Sequence, residues 1–227
     1  MNTKAIFLSA ALIAMGIATG ASAESQFVTT PTTGSQTASA RLDFRITVPR
    51  FIYLRVGTGN AFGAAANTTI NLIDFTVPAA SVGTNTAAAP FAANGVGAAN
   101  QGDISVGTVT ARLTANGWSP TASLTATATG ALGNGAGDSI DYTKIGVTTA
   151  ALAGVTGLLT HPTTLTNGTS TFAGVTATTG TRVIDRGAQW TFAYANDAVV
   201  PAGVYGQTSA GLASAVNNGR IVYTATM

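Results

Sequence analysis

The chain has 227 residues, of which only 8% are charged, with 10 Lys and Arg against 8 Asp and Glu, one histidine and no cysteine. Cations this sparse and scattered exclude a nucleic-acid surface, which needs clustered Lys and Arg. The missing cysteines exclude a small disulfide-stapled domain and, with a single histidine, the Cys/His ligand sets of zinc sites.

The N-terminal MNTKAIFLSAALIAMGIATGASA has Lys4 ahead of an apolar run over residues 5–17 and ends on the small-x-small Ala21-Ser22-Ala23. This three-part order predicts a secretory signal peptide over residues 1–23. Gly16 and Gly20 interrupt an apolar run that is too short for a membrane span, which takes about 20 residues. Export to the periplasm, cell surface or extracellular space of a bacterium is therefore expected, with no transmembrane segment after cleavage. Residues 24–38 form a polar arm in which only Phe27 and Val28 are apolar neighbours.

Residues 39–48 carry the clearest strand pattern of the chain. Leu42, Phe44, Ile46 and Val48 alternate with Arg41, Asp43, Arg45 and Thr47, the period of a half-buried strand. Pro49 interrupts the ladder, and FIYLRV (residues 51–56) resumes it. Further strands are predicted over residues 69–77 and 104–114. The latter runs into Asn116-Gly117, with residues 121–129 pairing back across that turn. Residues 142–148 give a short strand. Residues 187–194 give a stronger one, in which Trp190, Phe192 and Tyr194 alternate and Trp190 is a core residue. Helix finds little support; residues 149–159 are the best candidate, against the poor helix propensity of Thr and Gly. Val204-Tyr205 and residues 212–216 lead to Asn218-Gly219, read as a type I′ hairpin turn. A last strand follows, with Ile221, Tyr223, Ala225 and Met227 on one face, and it is expected to pair within the same chain.

Short strands separated by turn signals indicate an antiparallel sandwich or barrel. The expected fold is all-β: a single antiparallel β-sandwich of immunoglobulin-like or jelly-roll type with long Gly/Ala/Thr-rich loops. The expected organisation is a signal peptide (1–23), a polar arm (24–38) and one β-sandwich domain (39–227). An outer-membrane barrel is disfavoured, because aromatic girdles are typical of such barrels and aromatics here make up 7%.

Chemistry finds few candidates. His161 has no cysteine to activate and is read as a loop residue beside Pro162 rather than a catalytic base. Asp138 and Asp141 fit turn and strand-start positions better than a glycosidase carboxylate pair. No glycine cluster completes a phosphate-binding motif. Trp118, just past the Asn116-Gly117 turn, is a candidate platform for stacking a sugar ring. No catalytic residue, cofactor or metal site is expected.

The C-terminal GRIVYTATM (Gly219 to Met227), with QWTFAYANDAVVPAGVYGQ (Gln189 to Gln207) before it, resembles the late strands of bacterial fimbrial subunits. The resemblance implies an incomplete immunoglobulin-like fold completed by a donor strand from the next subunit. It also implies a periplasmic chaperone and an outer-membrane usher as partners, beside other copies of the chain. Ile221 and Tyr223 in the last strand and Phe27 and Val28 in the arm are then the candidate assembly residues. Two readings follow: an exported, non-enzymatic structural or adhesive surface protein of fimbrial type, and a stand-alone secreted or periplasmic β-sandwich that binds a ligand such as a glycan.

Overall fold

A computed structural model describes residues 24–31, 33–68, 70–88, 107–178, 180–208 and 211–227. The expected signal peptide and the start of the strand expected at residue 104 lie outside them. The chain divides into two compact units, Met1–Val48 and Pro49–Met227, so residues 39–48 fall with the arm rather than with the sandwich.

In the first unit the strongest strand pattern of the sequence forms no ladder. Residues 39–48 join no strand ladder. Leu42, Phe44, Ile46 and Val48 are 72%, 85%, 87% and 70% exposed. Alternation supplies an apolar face, but a strand exists only where a second strand takes up its hydrogen bonds. Ahead of this segment the arm is closed on itself. The Arg41 guanidinium grips Glu24 with two hydrogen bonds of 2.7 and 2.9 Å, and the Ser39 N–H donates to Gln26.

The second unit is all-β, without an α-helix among the described residues. Its strands are β1 (Phe51–Val56), β2 (Thr108–Asn116), β3 (Ser123–Thr127), β4 (Leu132–Gly133), β5 (Ser139–Ile140), β6 (Ile145–Ala151), β7 (Gly157–Leu158), β8 (Thr169–Thr171), β9 (Val183–Tyr194) and β10 (Val222–Thr226). One sheet has the order β1-β2-β9-β6, with the short β7 parallel to β9; a second has the order β10-β3-β8; β4 and β5 make a small ribbon.

Period-two patterning explains how the two larger sheets face each other. In β2, Val109, Ala111, Leu113 and Ala115 are buried, while Thr108, Thr110 and Arg112 point outward. In β9, Ile184, Ala188, Trp190, Phe192 and Tyr194 point inward. The opposing sheet contributes Leu124 and Ala126 of β3 and the inward side of β10. Rings of the two sheets meet directly, Trp190 and Tyr223 at 5.4 Å between centroids. Trp190 is fully buried, as the sequence indicates, and its indole N–H donates to the Leu159 carbonyl at 2.8 Å.

Several local expectations give way to tertiary context. β2 and β3 do not form a hairpin. Neither Asn116 nor Gly117 takes the positive φ that a type I′ turn requires, and the chain crosses here from one sheet to the other. The segment 70–77 holds only one bridged residue, Phe75, and residues 149–159 continue β6 and enter β7 rather than forming a helix. Val204-Tyr205 and residues 212–216 are loop. Side chains hold them instead of a ladder: Gln207 accepts from the Val216 N–H, and Arg220 donates to the Leu212 and Ala213 carbonyls.

The turn before β10 is displaced by one residue from its expected position. Asn217 and Asn218 are the two positive-φ residues (49° and 57°), closed by Gly219 N–H donating to Val216 O at 2.8 Å. Gly219 is needed for a different reason: a Cβ there would fall on the backbone of Gly206 and Gln207. β10 pairs antiparallel with β3, so the last strand closes within its own chain, but not as a hairpin.

Candidate assembly surface

Each larger sheet has an edge strand on one side of the sandwich. Among the described residues β1 pairs only with β2, and β10 only with β3. Between these edges lies an open groove of about 430 Å³ lined by Arg50, Phe51, Ile52, Asn116, Ala225, Thr226 and Met227. Leu54 and Val56 of β1, and Ile221, Tyr223, Ala225 and Met227 on β10 and its flanks, are partly buried hydrophobics packed on the core. Ile52, which points to the same side of β1, is 46% exposed. Unpaired strand edges with apolar side chains between them are a template for a further strand.

The outward face of β1 carries Phe51, Tyr53 and Arg55. Phe62 from the following loop packs on the first two rings, with centroids at 5.0 and 5.6 Å. Arg55 stands directly opposite Arg112 of β2. Asp185 of β9 compensates Arg112 with contacts of 2.9 and 3.1 Å and also accepts from the Thr114 hydroxyl. Among the described residues no carboxylate contacts Arg55, and its Nε is shut off from solvent without a partner.

Beneath β10 the lone histidine proves to be a core residue. His161 is 2% exposed and sits edge-on to Phe172, Trp190, Phe192 and Tyr223, at centroid distances of 4.8 to 5.9 Å. The Pro162 carbonyl, 2.7 Å from Nδ1, can only accept, so Nδ1 carries the proton and Nε2 accepts from the Tyr223 hydroxyl at 3.1 Å. Burial holds the His161 pKa below the usual histidine range, opposed in part by the Pro162 carbonyl. Burial likewise raises the Tyr223 phenol and pushes Tyr142 up to about 12. Tyr142 donates to the Asn218 carbonyl at 2.8 Å. His161 lies in a loop, as its sequence context indicates, but it is buried, and its ring pins β10 to the core. Only the tertiary fold, by bringing residues 161, 172, 190, 192 and 223 together, could reveal this.

The remaining candidates separate clearly. Tyr223 on β10 and Ile221 just before it are partly buried and packed on this domain's own core. Phe27 is 90% exposed in the other unit, and Val28 is half-buried. Trp118 is 80% exposed, and the Arg182 guanidinium lies 5.2 Å from its ring centroid. Asp138 is tied to Asn134 in a tight turn, and Asp141 accepts from the Asn167 amide. Among the described residues no group of three or more His, Cys, Asp or Glu could hold a metal ion, and no helix is long and apolar enough to cross a membrane. Attention to the arm at 24–38 misses the exposed apolar face of residues 42–48. Its signal was the alternation itself, which marks a strand without saying whose sheet it joins. No protein-family model matches this chain, and neither curated proteins nor solved structures show a match.

Proposed function

We propose that this chain is an exported, non-enzymatic structural subunit of a bacterial surface filament, of the fimbrial kind. In this reading copies join by strand addition: residues 41–48 of one copy occupy the open edge of the next, completing an immunoglobulin-like sandwich. The observations that carry the proposal are the alternating, solvent-exposed row Leu42, Phe44, Ile46, Val48 and, in the sandwich domain, two strand edges that are unpaired among the described residues. Burying each of these side chains is worth about 1.5–3 kcal/mol, enough in sum to offset much of the cost of association. Within one chain the segment is barred from folding back on β1 through a tight hairpin. Pro49 and Arg50 would be the central residues, both type I′ and type II′ turns need positive φ at the first of them, and proline is fixed near −65°. This favours a second copy as the occupant. Before assembly such a segment and groove need shielding, a role suited to a periplasmic chaperone and an outer-membrane usher.

The test is size analysis and electron microscopy of the mature protein beside a Phe44→Asp variant. Polymers in the wild type that fall to monomers in the variant support the proposal; a wild type that stays monomeric at high concentration refutes it. A second reading, binding of a glycan, draws on the exposed Trp118 ring with Arg182 beside it. Glycan-array binding that survives Trp118→Ala would remove that reading.

A further inference from the structure

The proposed strand addition leaves open which register the incoming strand takes, and here the charges discriminate. Apolar residues that face the core must come to lie opposite the inward residues of β1, which are Ile52, Leu54 and Val56. The polar residues Arg41, Asp43, Arg45 and Thr47 then lie opposite the outward Phe51, Tyr53 and Arg55. Arg41 is already neutralised by Glu24. Asp43 and Arg45 are exposed. On the receiving side Arg55 faces Arg112 across the ladder, and Asp185, an acid of that face, is engaged by Arg112 and Thr114. Like charges directly opposite each other destabilise a sheet, so the free side of Arg55 calls for an acid.

We propose that residues 41–48 of a second copy add antiparallel to β1 with Asp43 opposite Arg55; this rests on the assembly reading above. In this register Leu42 meets Val56, Phe44 meets Leu54 and Ile46 meets Ile52, and Arg45 lies opposite the Tyr53 ring. A slip of two residues one way sets Arg45 against Arg55, and a slip of two the other way sets Arg41 against it. Slips of one residue turn the apolar row out to solvent. A parallel strand that brings Asp43 to Arg55 carries Ile46 and Val48 beyond the end of β1. The chosen register sets three of the four apolar residues opposite the inward side of β1, and of the registers compared that use the apolar row in this way it alone brings an acid beside Arg55. It extends the face into the row Asp43, Arg55, Arg112, with Asp185 reaching Arg112 diagonally from its place opposite Thr114. Asp43 is thus a specificity residue: the apolar row drives addition, and the charge fixes where it stops.

The absence of cysteine makes a direct test clean. Copies carrying Thr47→Cys are mixed with copies carrying Phe51→Cys, polymerised and oxidised. Directly opposite residues in an antiparallel pair are close enough for a disulfide. Intermolecular crosslinking is expected for this pair, and not for Thr47→Cys with Tyr53→Cys or Arg45→Cys with Phe51→Cys, which report the two slipped registers. Adding Asp43→Arg should lower the crosslink yield about tenfold, equivalent to about 1.4 kcal/mol, and combining it with Arg55→Asp in the receiving copy should restore it. Crosslinks in a slipped pair, or a yield indifferent to Asp43→Arg, overturn the register while leaving strand addition standing. Polymers without any of these crosslinks overturn the placement on β1. A wild type that never polymerises overturns both proposals.

Discussion

Replacing Tyr223 by Phe removes a single hydroxyl at the point where β10 is fastened to the core. The ring keeps its packing against Trp190 and Phe172, so no cavity term enters. The loss is the hydrogen bond to His161 Nε2, which leaves a buried acceptor without a donor and costs about 1–3 kcal/mol. The same pair predicts a pH dependence. The folded-state pKa of His161 is lowered, chiefly by burial, and no charged side chain contributes to the shift. Below the ordinary histidine pKa of about 6.5 the unfolded chain takes up a proton that the folded chain refuses. The stability contribution is therefore complete above that pH and is lost as the pH falls from there towards the lowered folded-state value. The slope is at most about 1.4 kcal/mol per pH unit. Urea unfolding followed by tryptophan fluorescence at pH 7.5, 6.5 and 5.5 measures both effects. Glu24 and Asp197, whose pKa values are lowered by Arg41 and Lys144, titrate below this window. Wild-type stability should fall across it, Tyr223→Phe should be less stable at pH 7.5, and His161→Phe should show no histidine slope. A wild-type curve that is flat from pH 7.5 to 5.5, or a slope that survives in His161→Phe, would refute the reasoning.

Trp190→Ala should cost about 3–5 kcal/mol, the range for emptying a fully buried aromatic site, and calorimetry should show a large fall in melting temperature. It also leaves the Leu159 carbonyl without the indole donor. Gly219→Ala should be as damaging as a core overpacking, about 1–3 kcal/mol, although its φ suits any residue, because the new methyl would meet the backbone of Gly206 and Gln207. Alanine at Gly137, by contrast, meets no neighbouring atom within 4 Å but must adopt a φ of 107°, so its penalty is backbone strain alone; chemical denaturation of the two variants separates the causes.

Much of the sandwich was legible from period two alone. The strands at residues 51–56, 108–114, 123–127, 145–148 and 187–194 lie where alternation puts them. Trp190, Phe192 and Tyr194 are buried because side chains of an alternating strand divide strictly between two faces. The last strand likewise sorts Ile221, Tyr223, Ala225 and Met227 inward. What local pattern cannot carry is pairing. Residues 39–48 have a cleaner alternation than most of the ladder strands and form no strand, because a strand is a relation between two segments. Residues 123–127 pair with β10, almost a hundred residues away, rather than across the Asn116-Gly117 turn. Turn chemistry was readable to within one residue before β10, with Gly219 outside the positive-φ pair and in close contact with another loop.

The candidate site divides along the same line. The sequence by itself determined that the chain is β-rich, cysteine-free and poor in catalytic groups, and which side chains can share a face, since composition and alternation are properties of the chain alone. Only the tertiary structure decided that, among the described residues, Arg55 stands uncompensated beside Arg112 and the best apolar row has no partner, and that His161 holds Tyr223 inside a cage of rings. Each of these is a matter of which distant segments become neighbours. Burial and charge compensation act through those neighbours, and no local reading of the chain contains them.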